Sequence, residues 1–372
     1  MSSMARPKKS LQTLFGKHEN DGRVCGYVAG ALGRYQLFLK TIEESSILSW
    51  DSGDQLDLAD GAEVVFGGNL HGDGDGDIRI MQQVLNLKKR FPDRVHLLIG
   101  TRDVASLRLP SELSDEALQD EAIMDDTAFP YKSSEAAVTP RQFLTRESGL
   151  ENNASSRLKW MLKETMYAND AFEGRRKELQ DMDGSETVTD EQVVSSFVNS
   201  VTPAHADSFV LQYLEQADLV HIFGNSLFVS GGISDSSIGS VPSQGIVDDL
   251  KEWAKSLNEW AKQQIASFAK EPTRLQVWKE RPWHGIVEYG LPNGNEGKTV
   301  LAALKVLHGQ TILSPQAEAR LKQSGIDTMV CGQVEDGDSP TVLEQSGFRV
   351  VAATPKSSTE SWDGCASLCC EV

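Results

Sequence analysis

The stretch VVFGGNLHGDGDGDIRI, residues 64–80, runs from two valines and a phenylalanine into a loop crowded with Gly, Asp and His. The apolar run has the character of a buried strand, and IRI opens a helical pattern. A buried strand opening into a Gly/Asp loop is how many α/β enzymes present chemistry at the carboxyl end of a sheet. Whether this loop is a working metal or phosphate site, or the outline of one whose ligands have gone, decides how the rest of the chain is read.

The flanking segments repeat the pattern. RVCGYVAG (23–30) reads as a short strand ending at glycine, and RYQLFLKTIEESSIL (34–48) has helical spacing. GAEVVFGG (61–68) is a second strand, IRIMQQVLNLKKRF (78–91) a helix stopped by Pro92, and DRVHLLIG (93–100) a third strand ending at glycine. Strand, helix, strand, helix, strand, each strand running into a Gly loop, argues for a parallel α/β sheet with its site at the strand tips.

Residues 113–217 differ. SELSDEALQDEAIMDDT is acidic and turn-rich, and SSRLKWMLKETMYA, DAFEGRRKELQDM, TDEQVVSSFVNSV and ADSFVLQYLEQA each read as helices. The expected organisation is a basic tail without structure over 1–20, a first α/β part over 21–112, a helical insertion over 113–217 and a second α/β part over 218–372. That second part begins with ADLVHIFGNSLFVSGGI, two short strands meeting at Gly224-Asn225. In the helix that follows, Leu250, Trp253, Leu257, Trp260, Ile265 and Phe268 share one face, a spacing that serves core packing. A helix PQAEARLKQSG, strands IDTMVCG and GFRVVAAT, and a final strand CASLCCEV close the chain.

Bulk properties bound the partners. The chain has 372 residues, 39% hydrophobic and 24% charged, with 36 Lys plus Arg against 54 Asp plus Glu and a formal charge of −18. So negative a molecule repels anionic surfaces, which excludes nucleic acid and anionic membrane as general partners; a basic protein or a divalent cation is compatible. There is no apolar run of about 18 residues to span a membrane. The N-terminus carries Arg6, Lys8, Lys9 and Lys17 without an acid and lacks the apolar core of a secretory signal; an organelle-targeting role is the alternative to a plain tail. Five cysteines without regular spacing argue for a reducing, intracellular and cytoplasmic setting. Cys369 stands four from the end as in a prenylation signal, but Glu371 is a poor fit to the aliphatic position.

Taken in order, AGALG, GGNLHGDGDGD, GTRD, LFVSGGI, CGQVEDGDSP and AATPKSS resemble the loops of the calcineurin-like metallophosphoesterases, which read GDxHG, GDxxDRG, GNHE or GNxD, HGG, GHTP and a short closing segment. The resemblance runs through nearly the whole α/β part, and RLKWML with AFEGRRKEL resembles a subgroup whose third loop reads GNRD. It implies a β-sandwich of mixed sheets flanked by helices, carrying the helical insertion. It also implies a two-metal phosphoesterase site, and there the sequence departs. The family's ligand positions hold Gly30, Leu32, Asn69, Thr101, Ser230 and Gln333. Its phosphate-contacting Arg becomes Asp73; its third-loop His becomes Arg102, with Asp103 keeping the acidic place beside it.

Two-metal hydrolysis holds cations about 3.5–4 Å apart around a bridging oxygen, so anionic and imidazole ligands must offset their repulsion. Asn, Thr, Ser and Gln are neutral donors, and Gly30 and Leu32 offer no side-chain donor; such a set matches no zinc, iron or manganese preference. The expectation is a pseudophosphatase that binds or scaffolds an unidentified protein partner, with no catalytic residue and no cofactor. The alternatives are an active phosphoesterase holding Mn, Zn or Fe in a rebuilt site of His71, Asp73, Asp75, Asp77 and Asp103, and a structural subunit of a larger assembly.

Other motifs yield to plainer readings. Counted from Asp73, an EF-hand needs Gly sixth and Glu twelfth, but these are Ile78 and Val84. GLPNGNEGKTV (290–300) has Pro292 where a phosphate loop needs its first glycine, and reads as a surface loop. Ser230 lacks a GxSxG context. His96 and His221, inside apolar strands, read as structural.

Overall fold

The computed structural model describes residues 24–125, 138–147, 150–184, 186–274, 280–291, 297–302, 304–307, 310–311, 313–332, 334–335, 341–353 and 369–371. The basic tail, Cys365 and Gln333 lie outside the described residues. The strands in chain order are β1 (Cys25–Val28), β2 (Leu48–Trp50), β3 (Leu56–Leu58), β4 (Glu63–Phe66), β5 (Val95–Leu97), β6 (Val220–Phe223), β7 (Ser226–Val229), β8 (Ser240–Val241), β9 (Gly245–Ile246), β10 (Leu304–Leu307), β11 (Gln310–Thr311), β12 (Thr328–Cys331), β13 (Val334–Glu335), β14 (Thr341–Gln345), β15 (Phe348–Ala352) and β16 (Cys369–Glu371).

One sheet has the order β16-β1-β4-β5, the other β14-β15-β12-β7-β6. β1, β4 and β5 run parallel, as the strand–helix–strand pattern predicts, and β16 closes the edge antiparallel to β1. In the second sheet β7, β12 and β15 are parallel, while β6 and β14 are antiparallel edges. The two-residue turn at Gly224-Asn225 joins β6 to β7, with Gly224 at φ +57 supplying the left-handed conformation that a tight hairpin requires.

Strand alternation divides the side chains between two layers. Tyr27, Val65 and Leu98 from one sheet meet Phe228, Val330 and Val351 from the other, all fully buried. The rings of Tyr27 and Phe228 stack at 6.1 Å. On the outer faces Val28, Val64 and Phe66 join a larger cluster with Phe38, Met81, Val84 and Leu87 of two covering helices. Removing each such side chain from water is worth roughly 1.5–3 kcal/mol. These strands are therefore apolar on both faces, which is why β4 reads as an unbroken run.

The helix Leu250–Lys270 buries the expected face of Leu250, Trp253, Leu257, Trp260, Ile265 and Phe268. Asp249 caps it by accepting from Glu252 N at 2.9 Å. Asn258 pins it to the second sheet, accepting from Leu219 N and Val220 N and donating to Val220 O. Between β5 and β6 the named elements are all helical, including Ala154–Trp160, Ala171–Asp183, Asp190–Asn199 and Phe209–Gln216. Their apolar faces share the larger cluster with the sheets, so they do not form a separate core.

Two local expectations change. Residues 46–48 leave the helix, which ends at Glu44, and Leu48 enters the hairpin β2–β3. Thr299, Val300 and Leu301 are not surface loop but buried: Val300 O accepts from Gly231 N and Val300 N donates to Tyr289 Oη. The Gly- and Asn-rich stretch before them hides the apolar anchor; residues 292–296 lie outside the described residues.

Candidate functional site

The loops after β1, β4, β5 and β7 converge at one end of the two sheets, and close backbone contact dominates the junction. Leu32 N donates to Asn69 O at 3.0 Å and Gly33 N to Leu70 O at 2.7 Å, tying the first loop to the second. A Cβ placed on Gly30 would lie 2.7 Å from both Asn69 O and Gly68 O. Gly30 therefore has no room for a side chain. Leu32 and Asn69 both have positive φ, +55 and +53, conformations that favour glycine or Asn and are unusual for Leu.

Asp103 staples the second loop to the third. It is fully buried, and its Oδ2 accepts from Gly100 N at 2.7 Å and from Asn69 N at 3.0 Å. Asn69 answers across the junction, its Oδ1 accepting from Arg102 N at 2.8 Å. His71, 4% exposed, brings Nε2 to 3.2 Å from Asp103 Oδ1, though the pair is poorly aligned for a hydrogen bond. Buried charge needs such partners, and here backbone amides supply most of them. Burial, with the charge of Asp103 next in importance, holds the Tyr213 phenol well above its usual range; its hydroxyl donates to Leu98 O.

The aspartates of the second loop turn outward to the helix Ala171–Asp183. Asp73 Oδ1 accepts from Asp170 N at 3.2 Å, with Arg34 at 3.8 Å; burial raises its carboxyl above the usual range against the pull of Arg102. Asp75 pairs with Lys177; burial pushes its pKa up, but Lys177, its own backbone amide and Arg79 together hold it below the usual value. Asp77, fully buried, accepts from Gly72 N at 2.8 Å and from Arg175 Nη2 at 2.9 Å. The helix comes so near that a Cβ on Gly174 would lie 2.2 Å from Gly74 O.

Arg175 and Glu178 complete this clamp, and neither stands out in the sequence. Arg175 lies over the rings of Phe197 at 4.3 Å and Phe209 at 5.4 Å. Glu178 accepts from Ile78 N and Arg79 N, satisfying two open amides at the start of the helix Asp77–Arg90. Burial, only partly offset by Arg175, raises its pKa. Arg102 spends its guanidinium on the carbonyls of Gly72 and Tyr167.

The structure thus brings His71 and Asp103 together and sends Asp73, Asp75 and Asp77 elsewhere. Among the described residues no three of these five gather ligand atoms at one point. Thr101 opens a short helix, and Ser230 Oγ is buried without a hydrogen-bond partner. A Cβ on the neighbouring Gly231 would meet Ala302 O at 2.3 Å, so the segment through Val300 covers the tip of β7. Asp103 keeps one buried oxygen, Oδ1, without a hydrogen-bond partner, facing the equally unpartnered His71 Nε2; one imidazole and one carboxylate oxygen are too few donors for a pair of divalent cations.

No protein-family model and no curated protein matches the chain. Similar solved structures include a cold-active protein-tyrosine phosphatase of a psychrophile Shewanella species, 13% identical at a TM-score of 0.42, covering 88% of this chain and 70% of that one. A protein serine/threonine phosphatase from Saccharomyces cerevisiae is 11% identical at 0.38, covering 89% and 67%. The phosphatase domain from the Legionella effector WipB is 11% identical at 0.36, covering 89% and 98%.

Proposed function

We propose that this chain is a pseudophosphatase: a metallophosphoesterase-type scaffold without its metal centre, serving as a binding or scaffolding protein inside the cell. The observation that carries the reading is the filled position at Gly30, where the backbone of the second loop occupies the space a ligand side chain would need. The commitment of Asn69 Oδ1 to Arg102 N and of Asp103 Oδ2 to two amides supports it. In this reading residues 113–217 are an insertion into the α/β scaffold. Its helix Ala171–Asp183 replaces cations as the counter-charge for the second loop. The partner is a protein, basic on the contacting face, because a chain of charge −18 attracts that sign.

The test is turnover of an aryl phosphate and of a phosphopeptide by the full chain, with Mn2+, Zn2+ or Fe2+ supplied in turn. The expected rate is that of the Asp103→Asn variant, indistinguishable from background. Metal-dependent turnover that disappears in that variant would reject the reading in favour of an active phosphoesterase built on His71 and Asp103.

A further inference from the structure

Outside the loop junction, the two sheets meet edge to edge at β5 and β6, each the last strand of its sheet. There the layer between the sheets changes character. Tyr27, Val65 and His96 stand in register across β1, β4 and β5; Phe228 and His221 stand in register across β7 and β6. Inward from the edge the facing residues are apolar, whereas at the edge His96 stacks on His221 with ring centroids 3.8 Å apart. Glu63, at the opening of β4 and on the same face as Val65, is a diagonal neighbour of His96. Its Oε2 lies 2.9 Å from His96 Nε2.

We propose that Glu63, His96 and His221 form a binding site for a divalent transition cation, Zn2+ being the ion that two imidazoles and one carboxylate suit best. One ligand atom from each residue lies within 4.8 Å of the others, and among the described residues no other trio does this. A tetrahedral zinc with bonds of about 2.0–2.2 Å separates its ligands by about 3.3–3.6 Å, so the imidazoles turn out of their stack to aim their in-plane lone pairs at one ion. A purely structural role leaves one observation unexplained: His221 Nε2 is buried and has no hydrogen-bond partner, although Glu63 already serves His96.

The backbone holds the trio in place. Asp218 N donates to Leu97 O and Ile99 N to Asp218 O, so the chain entering β6 is sewn to the chain leaving β5. These bonds set the spacing of His96 and His221 before any ion arrives, which lowers the ordering cost of binding. Burial depresses the basicity of both imidazoles, His221 to about 3, leaving both as neutral ligands near neutral pH. The ammonium of Lys88, held by Pro92 O and Val95 O, opposes a cation, and Glu63 and Asp218 oppose Lys88. Three protein ligands leave a fourth position for water at the solvent edge, where both histidines are partly exposed. This site neither uses nor requires the junction at Gly30 and Asn69, and the inference does not depend on the pseudophosphatase reading.

Competition for Zn2+ against a chromogenic chelator, using the full chain, tests it. The expected result is one equivalent bound, weakened at least tenfold in His221→Ala and in Glu63→Gln, and unchanged in a Cys369→Ser, Cys370→Ser double variant. Co2+ loading of the unsubstituted chain should give visible d–d bands without the near-ultraviolet thiolate charge-transfer band. Circular dichroism of each variant controls for folding. No stoichiometric binding, binding indifferent to both edge variants, or loss only in the cysteine variant would each overturn the proposal. Loss in His71→Ala alone would place the ion at the junction and count against both readings.

Discussion

At Gly30 the absence of a side chain is required rather than permitted, because Asn69 O and Gly68 O already occupy the space around its Cα. Gly30→Asp, which restores the carboxylate that the family resemblance places there, should therefore destabilise the fold by about 2 kcal/mol or more, as overpacking does. Urea denaturation reads the loss, and the variant should gain no affinity for Mn2+. Cys331 offers a second check at this scale. Its thiol is fully buried in β12, and burial pushes its pKa up to about 12 from 9.0. A raised folded-state value means that its contribution to stability is fully present below the unfolded pKa near 9 and is lost as pH rises toward 12. In the folded protein Cys331 should resist iodoacetamide at pH 8 and react once denaturant is added, as peptide mass spectrometry would show. The residue types at the loop positions were legible in the sequence; that Gly30 has no room for a side chain was not, since the obstruction comes from a loop nearly forty residues away.

At the scale of elements, the contact between the second loop and the helix Ala171–Asp183 is built on buried charge. Asp77, Arg175 and Glu178 are each almost wholly excluded from water, so removing Arg175 strips Asp77 of its cation and leaves Glu178 with Arg79 at 3.5 Å. Arg175→Ala should cost about 3–5 kcal/mol, the range for breaking a buried pair, while Lys177→Ala, removing an exposed lysine from half-buried Asp75, should cost well under 1 kcal/mol. Chemical denaturation of the two variants side by side makes the comparison, and a similar loss in both would mean that the clamp is not a buried network. The strands and long helices were readable because their periods of 2 and 3.6 are local properties. The hairpin β2–β3 and the burial of Val300 were not, because short segments take their structure from what they pack against.

For the whole molecule the charge of −18 governs long-range encounters. Among the described residues no helix is long and apolar enough to cross a membrane. The full chain should pass through a heparin column at about 0.15 M salt and leave duplex DNA unshifted, because a polyanion meets net repulsion over a Debye length of about 8 Å. Retention on heparin would point to a basic patch that net charge conceals. Where a basic protein partner binds, raising salt should slow association more than it speeds dissociation.

By itself the sequence determined the α/β class, the parallel trio β1-β4-β5 and the helical character of the stretch between β5 and β6. All of these follow from residue type and short-range period. Tertiary structure decided which groups answer one another: that Asp73, Asp75 and Asp77 serve a helix about a hundred residues away, and that His96 and His221, 125 positions apart, stack beside Glu63. The reason is physical. Hydrophobic pattern specifies which face of an element is buried, whereas the partner of a buried charge or imidazole depends on how sheets and helices stack, and chain spacing does not encode that.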